Sequence, residues 1–162
     1  MIYLFIISLL IVLPFNGCGE SSNQDPSQFS NTKTTGQNDG SDLTPFELEN
    51  GIGPVKEKLQ LGEIDPKLVA KGEEIFNQKC AACHKLDDRY VGPSQRDLLE
   101  RRTPEYVMNM MLNPDEMLKR HPEAKKMLAQ YMTPMPNQNL TYDDARALLD
   151  YFRKVVKETK TN

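Results

Sequence analysis

The chain has 162 residues, with 20 basic and 23 acidic side chains and a formal net charge of −3 at pH 7. This length leaves room for one modest domain once an N-terminal segment is set aside. Residues 1–65 hold three basic and nine acidic residues, whereas residues 66–162 hold seventeen and fourteen. The C-terminal part is thus mildly basic, but the excess is too small to indicate a nucleic-acid partner.

The N-terminal segment has the features of an export signal. Residues 1–15 are almost wholly apolar, with the length of a signal-peptide core and too short for a typical spanning helix. Gly17 then precedes Cys18, a pattern that resembles the cleavage site of bacterial lipoproteins. We expect residues 1–17 to be a lipoprotein signal peptide and Cys18 to carry the lipid. A cleaved soluble form and an uncleaved anchor are the alternatives, because no Lys or Arg precedes the apolar run.

Two segments of different composition follow. Between residues 19 and 40 the chain is dominated by Ser, Asn, Gln, Asp, Thr and Gly, without apolar periodicity. We therefore expect residues 18–42 to form a flexible, disordered tether. Residues 43–65 mix Pro and Gly with spaced apolar residues, and we expect an extended segment packed on the domain.

Residues 66–162 have the pattern of an all-α domain. Helix starts with a capping residue or an initial proline occur at Asp65-Pro66, Thr103-Pro104, Asn113-Pro114 and Thr141. Asp144 lies three residues after Thr141, in a position that resembles a capping box. The helix that begins at Asn113-Pro114 should bend or break at His121-Pro122. No alternating run of β-branched residues indicates a strand in this region.

The first of these helices leads into Cys80-Ala81-Ala82-Cys83-His84. Two thiols at this spacing followed by histidine are the attachment motif of a c-type haem. The thiols add to the two vinyl groups of one haem edge, and the imidazole is placed to bind the iron. The motif predicts one covalently bound haem c, with Cys80 and Cys83 as anchors and His84 as an axial ligand.

Two other sites use closely spaced cysteines. A thioredoxin-like redox site would need a strand before the first cysteine, but residues 70–79 have a helical pattern. A structural zinc site would need four ligands, and the sequence has no second Cys or His pair.

Residues 66–158 resemble a small bacterial monohaem class I cytochrome c. Gly72 and Phe76 lie where the N-terminal helix of that family crosses its C-terminal helix. Val91-Gly92-Pro93 lies where the family keeps a Gly-Pro whose proline carbonyl accepts the N–H of the haem histidine, here His84. The resemblance implies a cytochrome c fold of about four to five helices around one haem c.

The resemblance also suggests the second axial ligand. Met135, between two prolines, resembles the methionine of the family's ligand loop, and a thioether ligand raises the reduction potential. Met132 is close enough in sequence to compete, and a site without a methionine ligand is the third possibility. His121 is surrounded by charged residues, so we expect a surface residue there, with iron ligation as the alternative.

Arg101 and Arg102 follow the Gly-Pro turn, close to where the family places donors for the haem propionates. We expect at least one of them to pair with a propionate, because guanidinium groups stabilise buried carboxylates. The alternative is that they only face water, as we expect for most charged side chains of the domain.

The resemblance implies an electron carrier rather than an enzyme, with redox proteins as partners and no small-molecule substrate. The N-terminal pattern predicts a protein of the bacterial cell envelope, lipid-anchored and facing the periplasm or the outer side of the membrane. Electrons would pass from respiratory-chain donors to a periplasmic reductase or terminal oxidase, with nitrous oxide reductase as one candidate. The alternatives are a haem enzyme or a gas or redox sensor with an open sixth site, and a fixed cytochrome subunit of a membrane oxidoreductase.

Overall fold

The computed structural model describes residues 42–161. The predicted signal peptide, nearly all of the predicted tether and Cys18 lie outside these residues. Within them, seven α-helices occur: α1 (Pro45–Asn50), α2 (Pro66–Ile75), α3 (Leu98–Arg101), α4 (Pro104–Leu112), α5 (Pro114–Arg120), α6 (Pro122–Tyr131) and α7 (Tyr142–Thr161). No strand is found in this range, so the all-α prediction is confirmed, with more helices than the four to five expected. None of these seven helices combines the length and apolarity needed to cross a bilayer.

The helix starts follow the capping pattern of the sequence. In the described range, α1, α2, α4, α5 and α6 each begin with proline, whose fixed φ suits the first helical position. Asp65 accepts a hydrogen bond from the backbone of α2, and Thr103 accepts one from the backbone of α4. At α7, the Asp144 N–H donates to Thr141 Oγ1 at 3.1 Å, and the Thr141 N–H donates back to the Asp144 carboxylate at 3.2 Å. The predicted starts of α2, α4, α5 and α7 are therefore confirmed.

The crossing of α2 and α7 forms the centre of the fold. At Gly72 a Cβ would overlap the Ala147 carbonyl and lie 2.9 Å from the Tyr151 Cβ, so only glycine permits this approach. One turn later, the Phe76 ring packs against Tyr151 and Phe152, with centroid distances of 5.5 and 5.9 Å. This aromatic cluster fixes the end of α2, from which the Cys80–His84 motif continues.

A buried amide of α4 bonds the turn that follows α1. Asn109 is fully buried, and its Nδ2 lies 3.0–3.2 Å from the carbonyl oxygens of Asn50, Gly51 and Val55. Its Oδ1 accepts the Val55 N–H at 2.9 Å. The Asn109 side chain therefore provides hydrogen-bond partners for most of the backbone polar groups in the turn that follows α1.

An extended conformation throughout residues 43–65 is wrong, because Pro45–Asn50 form α1. The cause is a local capping box, in which Thr44 caps the Glu47 N–H and the Glu47 carboxylate accepts the Thr44 N–H. The remainder of the segment crosses the domain surface without regular structure.

The expectation that His121 lies on the surface is also wrong, because its exposed fraction is 1%. Nε2 lies 3.1 Å from the Glu47 carbonyl and 3.2 Å from that of Leu48, at the end of α1. Nδ1 accepts the Glu123 N–H at 3.2 Å and so caps α6. Burial is decided by this contact between α1 and α6 and not by the charged neighbours of His121 in sequence.

Candidate functional site

A cavity of about 1210 Å³, which includes space open to solvent, lies beside the α2–α7 crossing. Its walls include side chains of the Cys80–His84 motif, of α4 and α6 and of the loop between α6 and α7. Cys80, Cys83, His84 and Met135 all line it. Four predicted site residues from two distant parts of the sequence thus meet at one largely apolar cavity.

The motif is positioned by two successive turns. Phe76–Cys80 continue α2 as a wider π-type turn, in which the Ala81 N–H donates to the Phe76 carbonyl at 2.9 Å. The N–H groups of Cys83 and His84 then donate to the Cys80 carbonyl at 3.0 and 2.8 Å. These turns bring both thiols and the imidazole to the same wall of the cavity.

Cys80 and Cys83 do not form a disulfide with each other, and both are half-buried. Burial raises the pKa of the Cys80 thiol to about 11, more than the nearby Lys79 ammonium lowers it. A thiol that stays protonated at neutral pH lacks the thiolate of a reactive dithiol site. The electrostatic environment therefore gives no support to a thioredoxin-like site.

His84 is held from behind by the turn that contains Gly92 and Pro93. Its Nδ1 lies 3.0 Å from the Pro93 carbonyl oxygen, and the Gly92 N–H donates to the Cys83 carbonyl at 2.8 Å. Because a carbonyl can only accept, Nδ1 carries the proton in this hydrogen bond. The lone pair of the imidazole is then on Nε2, the nitrogen left for a metal.

On the cavity wall formed by the loop after α6, Met135 is half-buried and packs against the main core. Met132 is 86% exposed and does not line the cavity, and neither does His121. Both ring nitrogens of His121 are also occupied by backbone groups. Of these three alternatives for the second axial ligand, the structure brings only Met135 to the cavity.

Arg101 lines the cavity and is already paired within the protein. Its guanidinium donates to both carboxylate oxygens of Asp97, at 2.8 and 2.9 Å, and to the Ser94 carbonyl at 2.7 Å. The Arg101 guanidinium holds the pKa of Asp97 below its ordinary value. Arg96 pairs with Asp87 and does not line the cavity.

Arg102 also lines the cavity. Its guanidinium donates to the Glu123 carboxylate at 3.2 Å and lies 5.1 Å from the centre of the Tyr106 ring. Both arginines expected near the propionates thus lie on the cavity, and each has a protein partner that keeps its position.

The comparison with known families decides the class of protein. A sequence model of the family described as cytochrome c matches residues 69–155, more than half of the chain. The chain belongs to the cytochrome c family. Its cofactor is therefore haem c, covalently attached to the cysteines of the family's motif, which here are Cys80 and Cys83.

Solved structures place this cytochrome among small bacterial ones. It is similar to cytochrome c from Rhodothermus marinus, with 46% sequence identity and a TM-score of 0.66, covering 71% of this chain and 99% of the other. An engineered form of the Rhodothermus marinus protein is 44% identical, with 70% and 99% covered and a TM-score of 0.65. Another structure of this engineered form is described as bound to a carbene intermediate.

A cytochrome c domain of a Pseudomonas putida protein is more distant. It shares 27% identity over 56% of this chain and 92% of that domain, with a TM-score of 0.51. No curated protein sequence matches the chain closely enough to count as a relative.

The residues around the cavity of this cytochrome fit haem c. Two thiols are available for the covalent bonds to the haem. An imidazole with a free Nε2 and a thioether, both neutral ligands, are available for the iron. Gly92 leaves the imidazole the space that a Cβ would fill. The mainly apolar lining suits the face of a macrocycle, and the two arginines among the lining residues suit its carboxylates.

The sequence motifs did not indicate two further residues of the site. Tyr106 lines the cavity, is 5% exposed, and its buried hydroxyl has no hydrogen-bond partner among the described residues. Such a group fits a site whose cofactor brings its own polar substituents. Gln95 is buried beside His84. Neither residue belongs to a motif; only its position two residues after Pro93 could have pointed to Gln95.

Proposed function

We propose that this cytochrome c is a one-electron carrier with His84 and Met135 as the two axial ligands of its haem. When bound, the haem supplies an iron that gains or loses one electron. The observation that carries the proposal is that His84 and Met135, from distant parts of the sequence, line one apolar cavity together with Cys80 and Cys83. Occupation of both axial positions of the iron by protein side chains favours electron transfer over binding of external ligands.

On the His84 side, Pro93 holds the ring. The hydrogen bond from Nδ1 to the Pro93 carbonyl fixes the tautomer and the orientation of the imidazole. It also makes Nε2 a better electron donor, as outer partners of metal-bound histidines generally do.

On the other side, the loop that contains Met135 is bounded by two prolines, which restrict its backbone. The side chain packs against the main core, so the thioether has few alternative positions. Held in this way, the Met135 thioether would occupy this face of the haem and exclude water and small molecules from the iron.

Arg101 or Arg102 binds a propionate in this proposal. Arg102 is the stronger candidate, because it makes a single hydrogen bond to Glu123 where Arg101 is held by three acceptors. A guanidinium has five donor hydrogens, so Arg102 can keep Glu123 and still donate to a cofactor carboxylate.

Redox partners would approach the edge of the site flanked by Lys79 and Lys85. The Lys79 ammonium donates to the Gln138 carbonyl at 3.2 Å, and Lys85 donates to the Ala81 carbonyl at 2.8 Å. These basic residues suit an acidic face on a partner. Cys18 would carry a lipid anchor facing the periplasm or outer side of the membrane. The cytochrome would pass electrons from respiratory-chain donors to a periplasmic reductase, such as nitrous oxide reductase, or to a terminal oxidase.

The ferric absorption spectrum tests the ligation. Coordination by methionine sulfur gives a weak far-red charge-transfer band, which we expect in the unmodified protein and not in Met135→Ala. Met110→Leu is the matched control, because it removes another thioether that lines the cavity and should keep the band. A band that persists in Met135→Ala excludes this ligand. A high-spin unmodified protein that binds cyanide at once would instead indicate an enzyme or sensor with an open sixth site.

A further inference from the structure

Gln95 completes a triangle of polar atoms behind His84. Its Nε2 lies 2.9 Å from His84 Nδ1 and 2.7 Å from the Pro93 carbonyl oxygen, and Nδ1 lies 3.0 Å from the same oxygen. The Gln95 residue is only 7% exposed. Solvent therefore does not compete freely for these groups.

The backbone of Gln95 is fixed to the chain that follows the haem motif. Its N–H lies 3.0 Å from the carbonyl oxygens of both Lys85 and Leu86, and the next N–H, of Arg96, donates to Leu86 at 2.9 Å. Gln95 therefore keeps its position relative to His84, which immediately precedes Lys85. The amide is held beside the imidazole by covalent and hydrogen-bonded neighbours.

The positions of the protons in this triangle follow from the Pro93 carbonyl oxygen, which can only accept hydrogen bonds. With Nε2 of His84 on the iron, Nδ1 bears a proton and donates to the Pro93 oxygen. The shorter Gln95 contact, 2.7 Å to the Pro93 oxygen, is the hydrogen bond, so the amide presents its NH₂ group there and meets the Nδ1–H at 2.9 Å in a donor–donor contact. The Pro93 carbonyl then accepts from two donors at once.

Because the Pro93 carbonyl accepts from both side chains, the basicity of the His84 imidazole changes. The second donor draws on the electron density of the Pro93 oxygen and weakens the bond from His84, so the imidazole gains less basicity than it would alone. The positive end of the amide dipole also lies beside the ring. Both effects disfavour the extra positive charge of ferric iron relative to ferrous iron.

We infer that Gln95 is a positioning residue that raises the reduction potential of the haem by competing with His84 for the Pro93 carbonyl. The inference rests on the proposed ligation by His84. It assigns a function to a side chain outside the attachment motif and outside both proposed axial ligands.

The reduction potential is the first measurement. Gln95→Met keeps the length of the side chain and removes the donor, and Gln60→Met makes the same substitution at an exposed site. We expect the equilibrium constant for reduction by a fixed donor to fall about threefold in Gln95→Met, about 28 mV for one electron, and to stay unchanged in Gln60→Met. A potential that is unchanged or higher in Gln95→Met overturns the inference.

Proton NMR of the ferrous protein gives a second measurement that does not depend on a folded variant. In the unmodified protein, the Gln95 amide protons should show a nuclear Overhauser effect to the Nδ1 proton of His84. If it is absent, the amide is turned the other way and the inference fails. In Gln95→Met, the Nδ1 proton should move downfield as its hydrogen bond strengthens.

The same samples separate this inference from the proposed function. If the far-red band is present and the potential does not move, only the function of Gln95 is excluded. If the unmodified protein lacks the band, ligation by Met135 is wrong, and the two measurements above still decide on Gln95.

Discussion

Gly92 lies against the imidazole of His84 so closely that a side chain has no room. A Cβ at position 92 would come within 2.8 Å of Nδ1 and 3.1 Å of Nε2. The turn cannot easily retreat, because the Gly92 N–H is bonded to the Cys83 carbonyl. Glycine is thus required here for close approach to the haem histidine.

Gly92→Ala should therefore displace the ring of His84 from the Pro93 carbonyl. We expect a loss of about 1–3 kcal/mol in the free energy of unfolding, as for other overpacked sites, together with a changed reduction potential. Urea denaturation and redox titration measure the two effects. Gly62→Ala is the control, because no atom lies within 4 Å of its Cβ position; it should change stability by less than about 0.5 kcal/mol. Equal stability of the two variants would contradict this account of Gly92.

Asn109 should be a main determinant of how the N-terminal segment attaches. In Asn109→Ala, the carbonyls of Asn50, Gly51 and Val55 lose their donor inside the protein. We expect a destabilisation of about 3 kcal/mol, because each buried polar group left without a partner costs about 1–3 kcal/mol. Urea denaturation measures this loss, and limited proteolysis should cut within residues 43–64 sooner than in the unmodified protein.

Asn113→Ala is the comparison for Asn109, because the Asn113 amide donates to Ile52 alone, at 3.2 Å. Its effect on stability and proteolysis should be clearly smaller. If Asn109→Ala and Asn113→Ala lose the same stability and are cleaved at the same rate, the hydrogen bonds of Asn109 are not what holds the N-terminal segment in place.

His121 should make stability depend on pH below neutrality. Burial lowers its pKa from the ordinary 6.5, against the opposing effects of the Leu48 and Glu47 carbonyls and of the Glu123 carboxylate, while Arg102 lowers it further. The unfolded chain therefore binds a proton at a higher pH than the folded one. Stability is full above pH 6.5 and falls as the pH is lowered from there towards the folded pKa.

The measurement is the free energy of unfolding between pH 8 and pH 5. In the unmodified protein, His121 should contribute a slope of at most about 1.4 kcal/mol per pH unit. His121→Asn should be less stable at pH 8 and show a smaller slope below pH 6.5. An unchanged slope would mean that His121 does not titrate differently in the two states.

Local signals account for most of what the sequence predicts correctly. The starts of α2, α4 and α7 depend on Asp65, Thr103 and Thr141, whose side chains bond to backbone groups two or three residues away. The haem motif is likewise a local pattern. Such interactions are set by neighbours in sequence and need no knowledge of the fold.

The errors concern contacts between distant segments. His121 has charged neighbours in sequence, but its ring is buried by the end of α1, which lies more than 70 residues earlier. Gln95 belongs to the site because a turn brings its side chain back to His84. Tyr106 belongs to it because its side chain lines the cavity beside α4. No periodicity or motif reports these placements, because tertiary packing decides them.

Met132 offers a last test, of stability and ligation together. It ends α6 in the left-handed conformation, with φ of 56°, and its N–H donates to the Leu128 carbonyl at 2.8 Å. A side chain costs about 1 kcal/mol in this conformation, and glycine does not. Met132→Gly should therefore be about 1 kcal/mol more stable in urea denaturation and keep the far-red ferric band. Met132→Ala also removes the thioether but keeps a Cβ, so it should keep the band without the gain in stability. Loss of the far-red band in both variants would mean that Met132, and not Met135, is the iron ligand. If Met132→Gly were no more stable than the unmodified protein, the left-handed backbone at residue 132 would carry no cost.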